Sequence, residues 1–336
     1  MTQRLFQSYQ SKRILITGGI GFIGSNLARR LVNCGAEVTL IDSLIPQYGG
    51  NLFNIKDLRG KVTVNVCDVR DRYAMAYLVQ GKDYLFNLAG QTSHIDSMTD
   101  PYSDLEINAM AQLSILEACK TANKGIKLVF ASTRQIYGRP DYLPVDEKHP
   151  VRPVDVNGIN KLAGEWYHLL YNNVYGIRAC ALRLTNTYGP GMRVKDARQT
   201  FLGIWVRQLL EGKTIQVFGT GEQLRDFNYV DDAVDALLLA GESSAADGNI
   251  YNLGSAEVVS LKKLADTLIC MSDSSRYELV PFPPDRKAID IGDYYSDFSL
   301  IFRELGWSPQ ISLAEGLRRT VDYYKSNNSH YWDTTS

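Results

Sequence analysis

Residues 17–24 read TGGIGFIG, and their flanks decide the fold. Before them RILIT at 13–17 is a short β-branched apolar run that reads as a strand. After them Phe22, Ile23, Leu27, Leu31 and Val32 recur near helical spacing up to Gly35, which suits a left-handed helix end, so the spacing predicts a helix over 22–34. Gly18, Gly21 and Gly24 therefore form a turn between strand and helix. There, backbone N–H groups can approach a pyrophosphate without a Cβ in the way. The helix N-terminus adds partial positive charge, and the last glycine lets helix and strand pack closely. Asp42 ends the second apolar run, VTLID at 38–42, where a carboxylate can accept from the ribose hydroxyls of an adenosine and repel a 2′-phosphate. The expected ligand is NAD rather than NADP.

Outward from this turn, VTVNV at 62–66, YLFNLAG at 84–90, KLVFAST at 127–133 and ACALRLT at 179–185 continue the alternation of apolar runs with helical patterns at 105–122 and 159–175. That alternation predicts an α/β fold with a doubly wound parallel sheet. Beyond it TYGPGMRVKDARQ interrupts the pattern, so a boundary is placed near 187. Residues 1–187 are expected to bind the cofactor and 188–336 mainly to form a smaller substrate-binding part. The helical pattern at 231–241 and the short strand at 249–254 suggest that about 228–255 returns to the first domain.

The chain has 336 residues, 45% of them hydrophobic, enough for a sizeable core and against disorder. Thirty-six basic and thirty-seven acidic residues leave a net charge of -1, which gives no electrostatic footprint for nucleic acid or anionic lipid. No apolar run is long enough for a membrane helix, and MTQRLFQSYQSK lacks the apolar core of a signal peptide, so a cytoplasmic location is expected. Cys34, Cys67, Cys119, Cys180 and Cys270 are scattered without a CxxC pair and suggest neither a disulfide frame nor a metal site.

Several segments resemble, in order, the extended short-chain dehydrogenase/reductases, specifically the nucleotide-sugar epimerases and dehydratases. TGGIGFIG is similar to their TGxxGFIG and CDVRD at 67–71 to their adenine-side segment. NLAGQTSHIDSMTDP at 87–101 is similar to HLAAxxxVxxSxxDP, and EINAM at 106–110 supplies a characteristic Asn108. ASTRQIYG at 131–138 resembles SSxxVYG, LRLTNTYGPG at 182–191 resembles LRxxNVYGPG, and RDFNYVDD at 225–232 resembles RDFxYVDD. The resemblance implies a Rossmann-type sheet holding NAD along Gly18, Gly21, Phe22, Ile23, Gly24 and Asp42, with Asp68, Val69, Leu88, Ala89 and Lys161 completing the site. It implies a nucleotide diphosphate sugar as substrate, with Asn186 at the diphosphate and Asn108 as a site residue; Arg225, which opens RDFNYVDD, Arg286 in PPDRKAID and, more weakly, Arg193 offer paired donors to phosphate oxygens or are solvated surface charges. It also implies a homodimer through the helices near 105–122 and 159–175.

The same resemblance implies a catalytic hydroxyl at Thr133 and a YxxxK pair ending at Lys161. The tyrosine position holds Asn157, whose amide neither gains nor loses a proton near neutrality. Asn157 can still orient a hydroxyl or a water. Two roles are open to Lys161, holding the nicotinamide ribose or, if its pKa is depressed by burial, acting as the base. His94 is a candidate acid or base, or a surface residue. Tyr137 and Tyr188 read as structural.

Arg134 and Gln135 stand where hexose 4,6-dehydratases carry the Asp and Glu that eliminate water across C5 and C6, which argues against that reaction. Arg134 either packs or receives an anionic group such as a uronic carboxylate. The expected function is epimerisation through a transient keto sugar. The alternatives are dehydratase, decarboxylase or reductase chemistry with a non-standard proton-transfer residue, and a protein that binds NAD and nucleotide sugar without turnover.

Overall fold

The computed structural model describes residues 2–198, 200–272 and 276–332. Six strands of the first half lie in one sheet: β1 (Arg13–Thr17), β2 (Glu37–Asp42), β3 (Val62–Val66), β4 (Tyr84–Asn87), β5 (Lys127–Thr133) and β6 (Ala179–Leu184). Three strands then leave it, β7 (Asn186–Tyr188), β8 (Ile215–Phe218) and β9 (Leu224–Tyr229), before β10 (Ile250–Asn252) returns beside β6. The order across the sheet is β10-β6-β5-β4-β1-β2-β3, and every pairing is parallel. Strand order reverses at β1, so a crevice opens between the C-terminal ends of β1 and β4, where such sheets bind ligands.

Helices cover both faces: α1 (Thr2–Tyr9), α2 (Phe22–Asn33), α3 (Arg72–Leu78), α4 (His94–Thr99), α5 (Pro101–Leu105), α6 (Ala111–Ala122), α7 (Val156–Tyr175), α8 (Phe201–Leu210) and α9 (Val230–Glu242). Ile14 and Ile16 of β1 join the core that includes α2 and α9, whereas Leu15 joins the core that includes α3 and α6. Successive strand residues point to opposite faces, so a central strand covered on both must be apolar throughout. The second part carries β11 (Val258–Ser260) antiparallel to β9, and β12 (Tyr277–Val280) parallel to β8. No helix among the described residues is long and apolar enough to cross a membrane.

Three elements differ from their sequence patterns. The pattern at 105–122 is not one helix, because a π-turn over Glu106–Met110 separates α5 from α6. Helix α7 crosses there so closely that a Cβ on Gly164 would lie 2.8 Å from the Asn108 carbonyl oxygen. The pattern at 159–175 starts earlier, at Val156, because the Asp155 carboxylate accepts from the Gly158 N–H at 2.6 Å and caps the first turn. Helix α1 falls in a stretch with no expected element. It is fixed by burial of Leu5 and Tyr9, with the Tyr9 hydroxyl donating to the Leu238 carbonyl at 2.6 Å.

Inside the sheet–helix layer lies a buried ion pair. Glu165 of α7 meets Arg183 of β6 through two hydrogen bonds of 2.6 and 3.0 Å, and also accepts from Ser132 of β5 at 2.6 Å. Burial opposes the Arg183 charge, yet Glu165 more than offsets it and raises the guanidinium pKa. Replacing one partner leaves the other charged and unpaired. Glu165→Gln is expected to destabilise the fold by about 3–5 kcal/mol, read as a lowered midpoint in urea unfolding.

Candidate functional site

The crevice is a cavity of about 620 Å³ lined by residues from both parts of the chain. At one end lies the glycine turn. Gly18 takes φ +66°, and a Cβ on Gly24 would lie 2.2 Å from the Gly18 carbonyl oxygen, so the first turn of α2 sits on the loop only because no side chain intervenes. Gly21 is different, since the nearest atom to a Cβ there is the Gly18 oxygen at 3.1 Å. A Cβ at Gly21, which lines the cavity, would fill space that a pyrophosphate needs.

Asp42 closes this end. Its two oxygens accept from the Ile20 and Leu44 N–H groups at 3.1 and 3.0 Å. Burial raises its pKa, while those backbone donors hold it down in part. An ionised carboxylate has further lone pairs, so two ribose hydroxyls can still be met. Asp68 is held by Arg70, with bonds of 2.8 and 3.1 Å from the guanidinium. Its pKa is lowered although burial opposes this, because the Arg70 contacts prevail. Phe22, Ile23, Val69, Leu88 and Ala89 complete this wall. Two carboxylates and an apolar lining beside the glycine turn fit a dinucleotide.

At mid-cavity stand Thr133, Lys161, Asn157 and His94. The Thr133 hydroxyl oxygen accepts from the Gln135 N–H at 3.2 Å, capping a short turn and leaving its own proton to donate outward. Lys161 projects from α7, donates to the Ala131 carbonyl at 3.1 Å and lies 5.0 Å over the Phe130 ring. Gly90 makes room for it, since a Cβ there would meet both Lys161 Nζ and Asn108 Oδ1 at 2.9 Å. Burial lowers the Lys161 pKa to about 8, against a smaller opposing pull from Asp104.

Asn157 differs from its expected role. Its amide donates to the Gln91 carbonyl at 2.8 Å and to Asp104 Oδ2 at 3.0 Å, so both amide hydrogens are committed to protein rather than to a substrate hydroxyl. The other Asp104 oxygen accepts from Asn160 at 2.8 Å. His94 Nδ1 lies 2.9 Å from the Asp155 carboxylate.

The far end is basic and aromatic. Arg134 donates to Asn186 at 2.9 Å and lies 5.1 Å over the Tyr294 ring, while its Nη1 is shut from solvent without a hydrogen-bond partner. Arg225 is buried beside Asp290 at 3.5 Å, and burial together with the neighbouring Arg134 charge lowers its pKa to about 10. Two crowded guanidinium groups favour an anion between them. Arg286 lies 5.4 Å over the Phe218 ring, which faces Phe282 at 5.6 Å.

Two expected ligand contacts lie elsewhere. Asn108 is fully buried, donates to the Gln91 carbonyl at 2.9 Å and does not reach the cavity wall, because the π-turn directs it into the loop. Arg193 is likewise absent from the wall, held by Asp196 at 2.6 and 2.7 Å and by the Pro46 carbonyl at 2.8 Å. Sequence reading missed Asp155, Asp104, Asp290, Phe218 and Phe282. Of these only Phe282 and Asp290 carried a signal, in the segment PFPPDRKAID.

The Lys161 shift has a stability consequence. Below about pH 8 both folded and unfolded states hold the proton, and the folded state bears the penalty of a buried charge; between about 8 and the ordinary 10.5 that penalty fades. Lys161→Met is therefore expected to stabilise the fold near pH 7 by on the order of 1–3 kcal/mol, with the gain shrinking towards pH 10 in paired urea titrations.

The chain is similar to known proteins over nearly its whole length. The chain is 34% identical over 320 residues to a putative UDP-glucose 4-epimerase of Methanocaldococcus jannaschii, covering 94% of this chain and 99% of that one. It is 31% identical to a dTDP-glucose 4,6-dehydratase of Streptomyces niveus, with 96% and 95% covered. The structure of an epimerase from Methanothermobacter thermautotrophicus superposes with a TM-score of 0.91 at 26% identity, covering 98% and 96%. Residues 14–254 match the family described as NAD dependent epimerase/dehydratase. The chain thus belongs to the NAD-dependent epimerase/dehydratase family, with a Rossmann-type sheet, NAD as its cofactor and nucleotide-sugar chemistry as its class of activity.

Proposed function

We propose that the protein is a nucleotide-sugar epimerase that works through a transient keto sugar. The observation that carries this reading is a single cavity lined by the glycine turn with Asp42, by Thr133 and Lys161, and by the Arg134, Arg225 and Arg286 cluster. NAD bound at the glycine turn supplies a hydride acceptor that later returns the hydride. Lys161 holds the nicotinamide ribose, since its ammonium is already fixed by the Ala131 carbonyl at the cavity floor. Thr133 donates to the oxygen of the reacting carbon and stabilises charge that develops there.

Asn186, Arg225 and Arg286 serve the diphosphate, and Phe218 with Phe282 offers ring faces to the base. Arg134 borders the sugar, where its idle donor suits a carboxylate or a hydroxyl oxygen. Gln135 donates to Asp155 at 2.8 Å, and with Arg134 beside it no carboxylate pair stands there for elimination.

A second copy of the chain completes the assembly. Tyr102, Met110, Trp166, Leu170 and Val174 stand exposed on α5, the π-turn and α7, with Trp166 at 56% and Val174 at 60%. Such an apolar face on neighbouring helices suits an isologous contact. Trp166→Glu is expected to convert a dimer to a monomer in light scattering, and a monomeric wild type would refute the assignment.

The reaction is tested by following UDP-glucose, UDP-glucuronic acid and dTDP-glucose with the NAD-loaded protein by NMR. One of them is expected to yield its epimer. Thr133→Val should lower kcat about 100-fold while UDP binding is unchanged. Unchanged sugars throughout would favour a protein that binds without turnover.

A further inference from the structure

Asn157 occupies the position of the expected phenol, and its contacts converge on one short segment. Besides the side-chain bond to the Gln91 carbonyl, its own N–H donates to Ser97 Oγ at 3.2 Å. Gln91 and Ser97 bracket His94. Gln91 also clasps Ser93, donating from Nε2 to the Ser93 carbonyl at 2.9 Å and accepting the Ser93 N–H. Ser93 then caps α4, the helix that His94 opens, by accepting from the Asp96 N–H at 3.1 Å. The residue in the tyrosine position thus holds in place the turn that presents an imidazole to the cavity.

A second set of contacts fixes that imidazole from the opposite side. Asp155 Oδ2 lies 2.9 Å from His94 Nδ1 and accepts from Gln135 Nε2 at 2.8 Å, while Oδ1 caps α7. Its side chain is sealed from solvent, whereas that of His94 is 37% exposed in the cavity wall. Burial opposes the Asp155 charge, but the contacts with His94, Gly158 and Gln135 keep its pKa below the usual range. Nδ1 makes no aligned hydrogen bond to that carboxylate, but the ionised oxygen 2.9 Å away favours a proton on Nδ1, and so a bare Nε2, through its charge. Gln135 links this pair to Thr133, because the Gln135 N–H donates to the Thr133 hydroxyl.

We propose that His94 is the acid–base residue for the sugar hydroxyl, oriented by Asp155 and held in place by Asn157, in the role the missing phenol would fill. The inference rests on the nucleotide-sugar reading above. In the forward step the hydroxyl O–H bond breaks and its proton passes to His94 Nε2. The O–H electron pair becomes the C=O π bond as the C–H bond releases hydride to NAD. In the return step hydride comes back to carbon from the other face, and Nε2 gives the proton back to oxygen, so nothing is consumed. His94 touches the reacting oxygen; Asp155 and Asn157 are positioning residues.

The test uses the NAD-loaded full chain and whichever of UDP-glucose, UDP-glucuronic acid and dTDP-glucose the wild type converts. His94→Gln is expected to lower kcat at least about 100-fold, with KM and UDP affinity unchanged and part of the rate restored by added imidazole. Asp155→Asn, which keeps an N-cap side chain, is expected to lower kcat with KM held. A wild-type rate in His94→Gln would overturn the proposal, as would a parallel loss of rate and UDP affinity without imidazole rescue. A wild type that converts none of the three sugars and forms no reduced nicotinamide would overturn the nucleotide-sugar reading, and this inference with it.

Discussion

The site depends on how α7 is pinned to the sheet. Glu165 and Arg183 join that helix to β6, and Ser132 adds β5 to the same carboxylate one residue before Thr133. A buried pair of this kind tolerates little movement, because any separation exposes each charge to a low-dielectric interior without its partner. Lys161 and Asn157 lie one and two turns before Glu165 on the same helix. Fixing Glu165 therefore fixes the lysine against the Ala131 carbonyl and the asparagine against Gln91. The Tyr137 hydroxyl extends the network from Arg183 to Asn252 of β10, tying the returning strand to the same point.

Steric closeness, rather than charge, governs three further approaches around the crevice. Gly24 against Gly18, Gly164 against Asn108, and Gly90 beneath Lys161 are three places where a methyl group would occupy space already used. Gly24 seats α2 on the phosphate turn, Gly164 seats α7 on the π-turn, and Gly90 leaves the cavity floor open for an ammonium. The cofactor end and the catalytic end thus rely on the same device, a missing side chain at a point of close approach. Lys161 stands at the closest of these approaches to the reacting groups, so its burial and its depressed pKa follow from how tightly the layers pack.

Much of this was legible in the sequence because the signals are local. The strand–glycine–helix unit and the apolar periodicities depend on neighbours a few residues apart. They locate β1 to β6, α2 and the glycine turn with Asp42, whereas the expected site residues from Asp68 to Lys161 came from the resemblance of recurrent segments. What stayed hidden depends on partners distant in the chain. Asp155 carried no signal in the sequence; in the fold it caps α7, and only folding brings it to His94, sixty-one positions earlier. Asn108 and Arg193 occur in recurrent segments, yet a π-turn directs one into the loop and a local Asp196 pair occupies the other. Asn157 announces the loss of a phenol in the sequence, but which group its amide serves is a tertiary fact.

That fact reframes the substitution. The asparagine is shorter than a tyrosine, ends at the cavity wall and spends its donors on Gln91 and Asp104. A carboxamide cannot carry a proton, so a catalytic role for the position must be indirect. Asp104 is buried, and its two oxygens are met by Asn157 and Asn160, so its charge is used within the wall and is not presented to a ligand. Among the titratable side chains near Thr133, that leaves Lys161, already bound to a carbonyl, and His94, backed by a buried carboxylate. The imidazole has a second nitrogen and a carboxylate 2.9 Å from the first, and the Gln91–Ser97 segment that carries it is held at both ends by Asn157. The loss of the phenol and the placement of the histidine are therefore two consequences of one set of contacts.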